Sequence, residues 1–241
     1  MKLYGLIGFP LSHSFSKEYF TVKFQREGIQ DSRYELFPIR NIEEFPSLLE
    51  NHPQLAGINI TIPYKQSVLQ YLDDKSNLPA GLDACNCIKI VNGIKYGFNT
   101  DVVGFEKSFT SKLKSSQHNA LVLGTGGASM AVQFVLKKLG IDFKLVGRKN
   151  TELSYEDLNE KVIKETAIII NTTPLGTYPK SQEFPNIPYG ALSPYHYVYD
   201  LIYNPSKTLF LQKAEEKGAT IQNGFDMLAI QAEESWRIWN E

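Results

Sequence analysis

Four separated segments in the first half of the chain end on polar side chains: Ser14 and Ser16 in GFPLSHSFSKEYF, Asn59, Thr61 and Lys65 in GINITIPYK, Asn86 in DACNCI, and Asn99-Thr100-Asp101. Taken singly, each has a plain structural use. A serine or aspartate caps a helix, an asparagine or threonine satisfies nearby backbone, and one more lysine decorates a surface. Taken together they make one chemical sense. Hydroxyls beside a helix amino terminus suit a carboxylate, because unpaired N–H groups and the positive end of the dipole point there as well. Neutral amides and hydroxyls match ring hydroxyls, and a site built to bond an OH rejects analogues that lack it. Lys65 and Asp101 supply an acid and a base.

A second motif names the reagent such a pair could serve. Gly124-Thr125-Gly126-Gly127-Ala128-Ser129 stands between an apolar run and a helical pattern, the context in which glycines let a backbone approach a pyrophosphate at a helix amino end. Ser129 occupies the place of the usual third glycine. Roughly 20 residues on, where NAD enzymes carry a carboxylate, the next strand ends in Gly147-Arg148-Lys149. Two cations fit a phosphorylated ribose, so NADP is the expected cofactor; the plain alternatives are an ordinary strand-to-helix turn and a solvated loop. A nicotinamide transfers hydride, and the carbonyl oxygen that it reduces must also gain a proton, which gives Lys65 and Asp101 their task.

The elements that must position these residues alternate along the chain. The apolar run Leu3 to Gly8 reads as a strand, and Ser14 to Glu27 as a helix stopped by Gly28. Strands follow at Tyr34 to Ile39 and Leu55 to Thr61, with a capping box at Asn41 and Glu44 between them and Pro63 opening a helix over Tyr64 to Leu72. Asn86 to Val91 and Ile94 to Asn99 flank Asn92-Gly93, a hairpin turn. After a helix over Gly104 to Leu113, a strand–helix–strand unit begins afresh with Asn119 to Leu123, Ala128 to Leu139 and Phe143 to Val146. Strands at Ala167 to Ile170 and Tyr197 to Leu201 continue it, and Phe225 to Trp239 forms a last amphipathic helix, whose Trp236 and Trp239 read as packing residues. The class is α/β with two domains. Residues 1–101, joined by 225–241, form an α/β substrate domain with a mixed sheet, and 102–224 form a Rossmann-like NADP-binding domain.

Composition narrows the partners. The 241 residues are 42% hydrophobic and 21% charged with a net charge of −1, which describes a globular chain with no footprint for nucleic acid or anionic lipid. Cys85 and Cys87, one residue apart in an apolar run, suit neither a disulfide framework nor a zinc site and read as reduced thiols. No apolar run approaches the roughly 18 residues of a membrane span. The expectation is a cytoplasmic protein with a small-molecule partner, without nucleic acid, membrane or metal.

HSFS, NITIPYK, CN before the hairpin, NTD, GTGGAS, NTTPLG, DLIYNPSKT and NGFDMLAIQA follow one another across nearly the whole chain. In that order they resemble the shikimate dehydrogenase family. The resemblance implies reversible NADPH-linked reduction of 3-dehydroshikimate to shikimate, on the way to chorismate and the aromatic amino acids. It further implies that Ser14 and Ser16 bind the carboxylate, that Asn59, Thr61, Asn86, Tyr203 and Gln231 bind hydroxyls, and that Lys65 and Asp101 are the catalytic pair. Gly124, Gly126, Gly127, Ala128, Arg148 and Lys149 then hold the cofactor phosphates. Asn171, Thr172 and Thr173, with Gly224 and Met227, line its nicotinamide half. The protein is expected as a monomer or homodimer. A quinate/shikimate dehydrogenase that uses NAD and a non-catalytic ligand-binding relative are the alternatives. Three features depart from the family pattern: Met130 where an arginine is common, Gly147-Arg148-Lys149 in place of Asn-Arg-Thr, and a short stretch between Arg148 and Ala167 that implies a reduced flank to the adenine pocket.

Overall fold

The computed structural model describes residues 1–11, 14–149 and 151–241. His13, the first residue of HSFS, lies outside the described residues. The chain divides into two compact units, Met1–Thr100 with Ala232–Glu241, and Asp101–Gln231.

The first unit contains β1 (Lys2–Gly8), α1 (Ser16–Glu27), β2 (Ser32–Pro38), α2 (Phe45–Asn51), β3 (Leu55–Ile60), β4 (Cys87–Val91) and β5 (Ile94–Phe98). Its sheet has the order β2-β1-β3-β4-β5, with β1 parallel to β2 and β3, and β4 antiparallel to both β3 and β5. The sheet is mixed, as expected. β1 is apolar on both faces because both are covered. Leu3 and Ile7 join Phe45, Ile58 and Val68 on one side, while Tyr4 and Leu6 join Phe20, Phe24 and Trp239 on the other. Asn92 and Gly93 adopt φ of 51° and 82°, the left-handed pair that a two-residue hairpin needs.

Trp239 closes the second face. Its ring stacks on Tyr4 with centroids 4.8 Å apart, its indole N–H donates to the Ile88 carbonyl at 3.0 Å, and it lies over Gly57, where a Cβ would meet Nε1. Trp239→Ala is expected to destabilise this unit by about 3–5 kcal/mol, because the cavity cannot collapse around a rigid sheet. Urea denaturation checks the figure, and a loss under about 1 kcal/mol would contradict this packing role.

One sequence expectation fails here, and one helix has shifted bounds. Residues 64–72 do not form an α-helix: only Ser67–Tyr71 is helical, and as a 3-10 segment. Tyr64, Val68 and Leu72 still bury their side chains, but the backbone satisfies itself with tight turns, Tyr64 N–H to Thr61 O and Leu69 N–H to Gln66 O. The helix expected from Gly104 starts earlier, as α3 (Thr100–Thr110), with Asp101 in its first turn. Gly104 is a packing position rather than a helix boundary, since a Cβ there would sit 2.7 Å from the Met227 carbonyl.

The second unit continues with β6 (Asn119–Leu123), α4 (Gly127–Lys138), β7 (Asp142–Val146), α5 (Glu160–Lys164), β8 (Ile168–Asn171), β9 (Tyr197–Asp200), α6 (Leu209–Glu215), β10 (Thr220–Gln222) and α7 (Phe225–Asn240), whose last turns belong to the first unit. Its sheet is wholly parallel in the order β10-β9-β8-β6-β7. The chain leaves β6 toward β7 and returns on the opposite side as β8. That reversal makes the carboxyl ends of β6 and β8 the switch point, where α/β sheets bind ligands. The connection from β7 to β8 is indeed short: Leu153 pairs beside Val146, and only a 3-10 turn and the five residues of α5 follow.

Candidate active site

In the first unit, the carboxyl ends of β1, β3 and β5 and the start of antiparallel β4 lie at one edge of the sheet. Ser14 follows β1, Asn59 and Thr61 end and follow β3, Asn86 precedes β4, and Asn99-Thr100 follows β5. Backbone bonds lace these pieces together. Thr61 N–H donates to Ile7 O at 2.9 Å, Ile60 N–H to Asn86 O at 2.8 Å, and Asn86 N–H to Phe98 O at 3.1 Å. Lys65 enters through its main chain, whose carbonyl accepts the Cys85 N–H at 2.8 Å and so fixes the lysine beside the segment that carries Asn86. The lysine is half-buried.

The amides here are buried and cross-linked. Asn59 Oδ1 accepts the Tyr34 hydroxyl at 2.9 Å, and its Nδ2 donates to Asn86 O at 3.2 Å and to Ser235 Oγ at 2.9 Å. Asn86 Oδ1 accepts the Thr100 N–H at 2.6 Å while its Nδ2 donates to Thr100 Oγ1 at 3.0 Å. Thr100 Oγ1 and Ser235 Oγ are 3.2 Å apart, which joins the two asparagines into one network. Asn59 therefore spends both amide hydrogens on the protein and keeps only one lone pair of Oδ1 for anything else. Ser16 lies within hydrogen-bond reach of Tyr34, whose hydroxyl burial pushes well above its ordinary range, so the phenol stays protonated and donates to Asn59. Ser14 Oγ accepts the Ser16 N–H at 3.4 Å, but the cap position of α1 is Phe15 and no side chain caps it. Ser14 thus meets the first N–H of α1 only by this long contact. Burial drives the Cys87 thiol well up as well, leaving a neutral core group rather than a nucleophile. Tyr34 and Ser235 give no functional signal in the sequence, because only the fold brings their hydroxyls to the asparagines.

In the second unit, Gly124 takes φ +105° after β6, and its N–H donates to Val146 O at 2.8 Å. A Cβ on it would lie 2.8 Å from Thr172 Oγ1 and 2.9 Å from Thr173 Cγ2, so the turn after β8 packs against this glycine. Gly126 is the cap residue of α4, and nothing lies within 4 Å of where its Cβ would be. Gly127 and Ala128 open the helix. Ser129 fits at the place of a third glycine by turning its hydroxyl back onto Gly126 O at 2.7 Å, fully buried. Arg148 and Lys149 are exposed directly beyond β7. An open, cation-flanked helix start at a switch point fits a phosphorylated dinucleotide.

The segment after β8 is folded on one buried amide. Asn171 Oδ1 accepts Thr173 N–H at 3.0 Å and Thr173 Oγ1 at 2.7 Å, and Asn171 Nδ2 donates to Asp200 Oδ1 at 3.0 Å. Asn171 thus faces inward and shapes the turn, whereas Thr172 and Thr173 are half-buried beside Gly124. Gly224 donates its N–H to Ile202 O at 3.1 Å, and Met227 is buried one turn into α7. Tyr203 is half-buried in the loop after β9, and Gln231, on α7, donates to Leu228 O at 2.9 Å. Asp101 is buried in the first turn of α3, directly after the Thr100 whose N–H Asn86 holds. Among the described residues, no cluster of acidic, histidine and cysteine side chains could hold a metal ion, and no helix is long and apolar enough to cross a membrane.

Asp200 is the buried carboxylate of this unit. Its oxygens accept from Asn171, the Ile202 N–H at 3.1 Å and Thr208 Oγ1 at 2.6 Å, yet burial outweighs these bonds and pushes its carboxyl from 3.8 up to about 6. A raised value means that the folded chain holds this proton more tightly than the unfolded one. The contribution to stability is therefore full below about pH 4 and is lost as the pH rises through about 6. Asp200→Asn does not ionise. Its stability relative to the parent is expected to grow by about 1–1.5 kcal/mol between about pH 5 and pH 7.5, read from urea unfolding at the two values. A difference that does not change with pH would contradict the raised carboxyl.

A profile of the shikimate dehydrogenase substrate binding domain matches residues 6–88. The chain is 36% identical to the shikimate dehydrogenase (NADP(+)) of Aquifex aeolicus over 99% of its own length and 91% of that protein's. It is 35% identical to the enzyme of that name from Methanococcus maripaludis, with the same coverage. Shikimate 5-dehydrogenase of Thermus thermophilus, solved in complex with NADP(H) and shikimate, superposes with a TM-score of 0.85 at 28% identity, over 99% of this chain and 93% of that one. The chain belongs to the shikimate dehydrogenase family.

Proposed function

We propose that this protein catalyses the reversible NADPH-linked reduction of 3-dehydroshikimate to shikimate, a step toward chorismate and the aromatic amino acids. The observation that carries the reading is the edge of the first sheet, where Lys65 is tied by its backbone to the segment bearing Asn86, beside Asn59, Thr61 and the serines. Ser14 and Ser16, at the amino end of α1, take the substrate carboxylate. Thr61, Asn86, Tyr203, Gln231 and the remaining lone pair of Asn59 meet the ring hydroxyls. Because buried amides cannot rotate without breaking the network, the pattern of donors and acceptors is set before the substrate arrives.

NADPH supplies the hydride when bound. Gly124, Gly126, Gly127 and Ala128 would hold its pyrophosphate, Arg148 and Lys149 the ribose phosphate, and Thr172, Thr173, Gly224 and Met227 its nicotinamide half, with Asn171 shaping that turn from behind. Lys65 Nζ gives the proton to the carbonyl oxygen in reduction and takes it from the alcohol in oxidation, and Asp101 is the carboxylate of the catalytic pair. Buried reduced thiols at Cys85 and Cys87 suit a reducing compartment, the cytoplasm, and the partner is a small molecule. The protein acts as a monomer or homodimer.

Steady-state oxidation of shikimate and of quinate, each with NADP and with NAD, tests the reading. Shikimate with NADP is expected to give the highest kcat/KM, about tenfold or more above the other pairs. Quinate with NAD as the best pair would replace the assignment with a quinate dehydrogenase, and no turnover with any pair would leave a ligand-binding relative.

A further inference from the structure

The second unit contains a chain of polar contacts that reaches the nucleotide turn from behind and that the mechanism above does not use. It starts at Asp200, the last residue of β9, which is fully buried. Three donors converge on this side chain: Asn171 Nδ2 and the Ile202 N–H on Oδ1, and Thr208 Oγ1 on Oδ2. Only a carboxylate offers acceptors on both ends of a planar group, so the residue type matches the surroundings. The chain continues through Asn171. With Nδ2 held by Asp200, Oδ1 is left facing the turn, where it accepts both the N–H and the hydroxyl of Thr173. Thr173 Oγ1 in turn accepts the Leu175 N–H at 3.3 Å. The next contact is Gly124, against whose Cα face Thr172 and Thr173 lie.

We infer that Asp200 is a positioning residue for NADP: it fixes the orientation of the Asn171 amide, which fixes Thr172 and Thr173 against the phosphate turn at Gly124. Without the carboxylate, Asn171 Nδ2 keeps only a long contact to Leu175 O at 3.5 Å, so the amide loses the stronger of the two acceptors that hold Oδ1 toward Thr173. A reversed amide would present a donor to two donors and release the turn. Asp200 itself touches neither reacting group, so its effect falls on cofactor binding. The second oxygen has a different task, since Thr208 caps α6 and accepts the Leu211 N–H at 3.4 Å while donating to Asp200. A hydroxyl can reverse and accept, whereas the Asn171 amide cannot do so without losing Thr173.

That asymmetry gives the test. Asp200→Asn can keep its carbonyl oxygen toward Asn171 and turn its NH2 toward Thr208, so it is expected to bind NADP within about threefold of the parent. Asp200→Ala removes the acceptor and is expected to weaken NADP binding about tenfold or more, with shikimate affinity in the binary complex within about twofold. Asn171→Leu, which cuts the same chain without touching Asp200, is expected to reproduce that loss. The measurements are dissociation constants for NADP and shikimate by calorimetric titration, with thermal unfolding alongside. Folded Asp200→Ala that binds NADP like the parent would overturn the inference. So would equal losses for NADP and shikimate, equal NADP losses for the alanine and asparagine variants, or, if the alanine variant does not fold, an Asn171→Leu chain with parental affinity. The inference rests on the NADP reading. A parent chain that binds no NADP overturns that reading too, whereas a parent that binds NADP beside an unimpaired alanine variant overturns the positioning role alone.

Discussion

Lys65→Ala is expected to lower kcat by about 10² to 10⁴ in both directions while shikimate binds within a few-fold of its parental affinity. The expectation follows from how the residue is held. Its loop is anchored through the main chain, where the Lys65 carbonyl accepts the Cys85 N–H. Truncation therefore removes the ammonium while the neighbouring backbone keeps its anchor, and the Asn59, Asn86, Thr100 and Ser235 network stays in place. Binding is proposed to depend on that network and on the serines, and proton transfer on the ammonium. Steady-state kinetics in both directions, with a binding titration of shikimate, separate the two. A variant with parental kcat would remove Lys65 from the chemistry, and one that loses binding in proportion to turnover would make it a substrate ligand only.

Gly124→Val is expected to weaken NADP about 30- to 4000-fold, the largest effect in the second unit. Two terms add. A β-branched residue at φ +105° is strained by about 1–2 kcal/mol, and its Cβ would lie 2.8 Å from Thr172 Oγ1 and 2.9 Å from Thr173 Cγ2. Relieving that contact moves either the glycine turn or the Thr172-Thr173 turn, and both are proposed to face the cofactor. Overpacking of this kind costs about 1–3 kcal/mol, so the sum of about 2–5 kcal/mol corresponds to the stated range. Shikimate binding by the first unit is expected to remain. Parallel titrations of the two ligands read the result, and unchanged NADP affinity would contradict the placement of the phosphate site at this turn.

What the sequence makes legible in this protein is local chemistry. Short apolar runs bounded by glycine or proline read directly as β1, β3, β6 and β8, because each is covered on both faces and needs no alternation. Asn92-Gly93 and the glycine turn before α4 read directly too, since left-handed backbone and close approach restrict which residues can stand there. Where tertiary packing decides, the pattern misleads. Gly104 looks like a helix boundary and is a contact point for α7. Tyr64, Val68 and Leu72 have helical spacing, yet the backbone around them forms turns. The same limit applies to the site. Lys65, Asn59, Asn86 and Asp101 stand out by residue type, whereas Asp200 reads as one more acidic residue at a strand end until burial and its three donors are seen. Asn171 shows the reverse case: its motif points to a cofactor ligand, and only the structure shows its amide bonded to Asp200 and Thr173.

The most direct measurement follows the hydrogen itself. Shikimate carrying deuterium on the carbinol carbon that becomes the ketone is incubated with the protein and NADP, and the reduced nicotinamide is analysed by mass spectrometry. Direct transfer predicts NADPH that carries the label, with none lost to water. Unlabelled NADPH, or label released into solvent, would contradict a dehydrogenase that moves hydride between these two molecules.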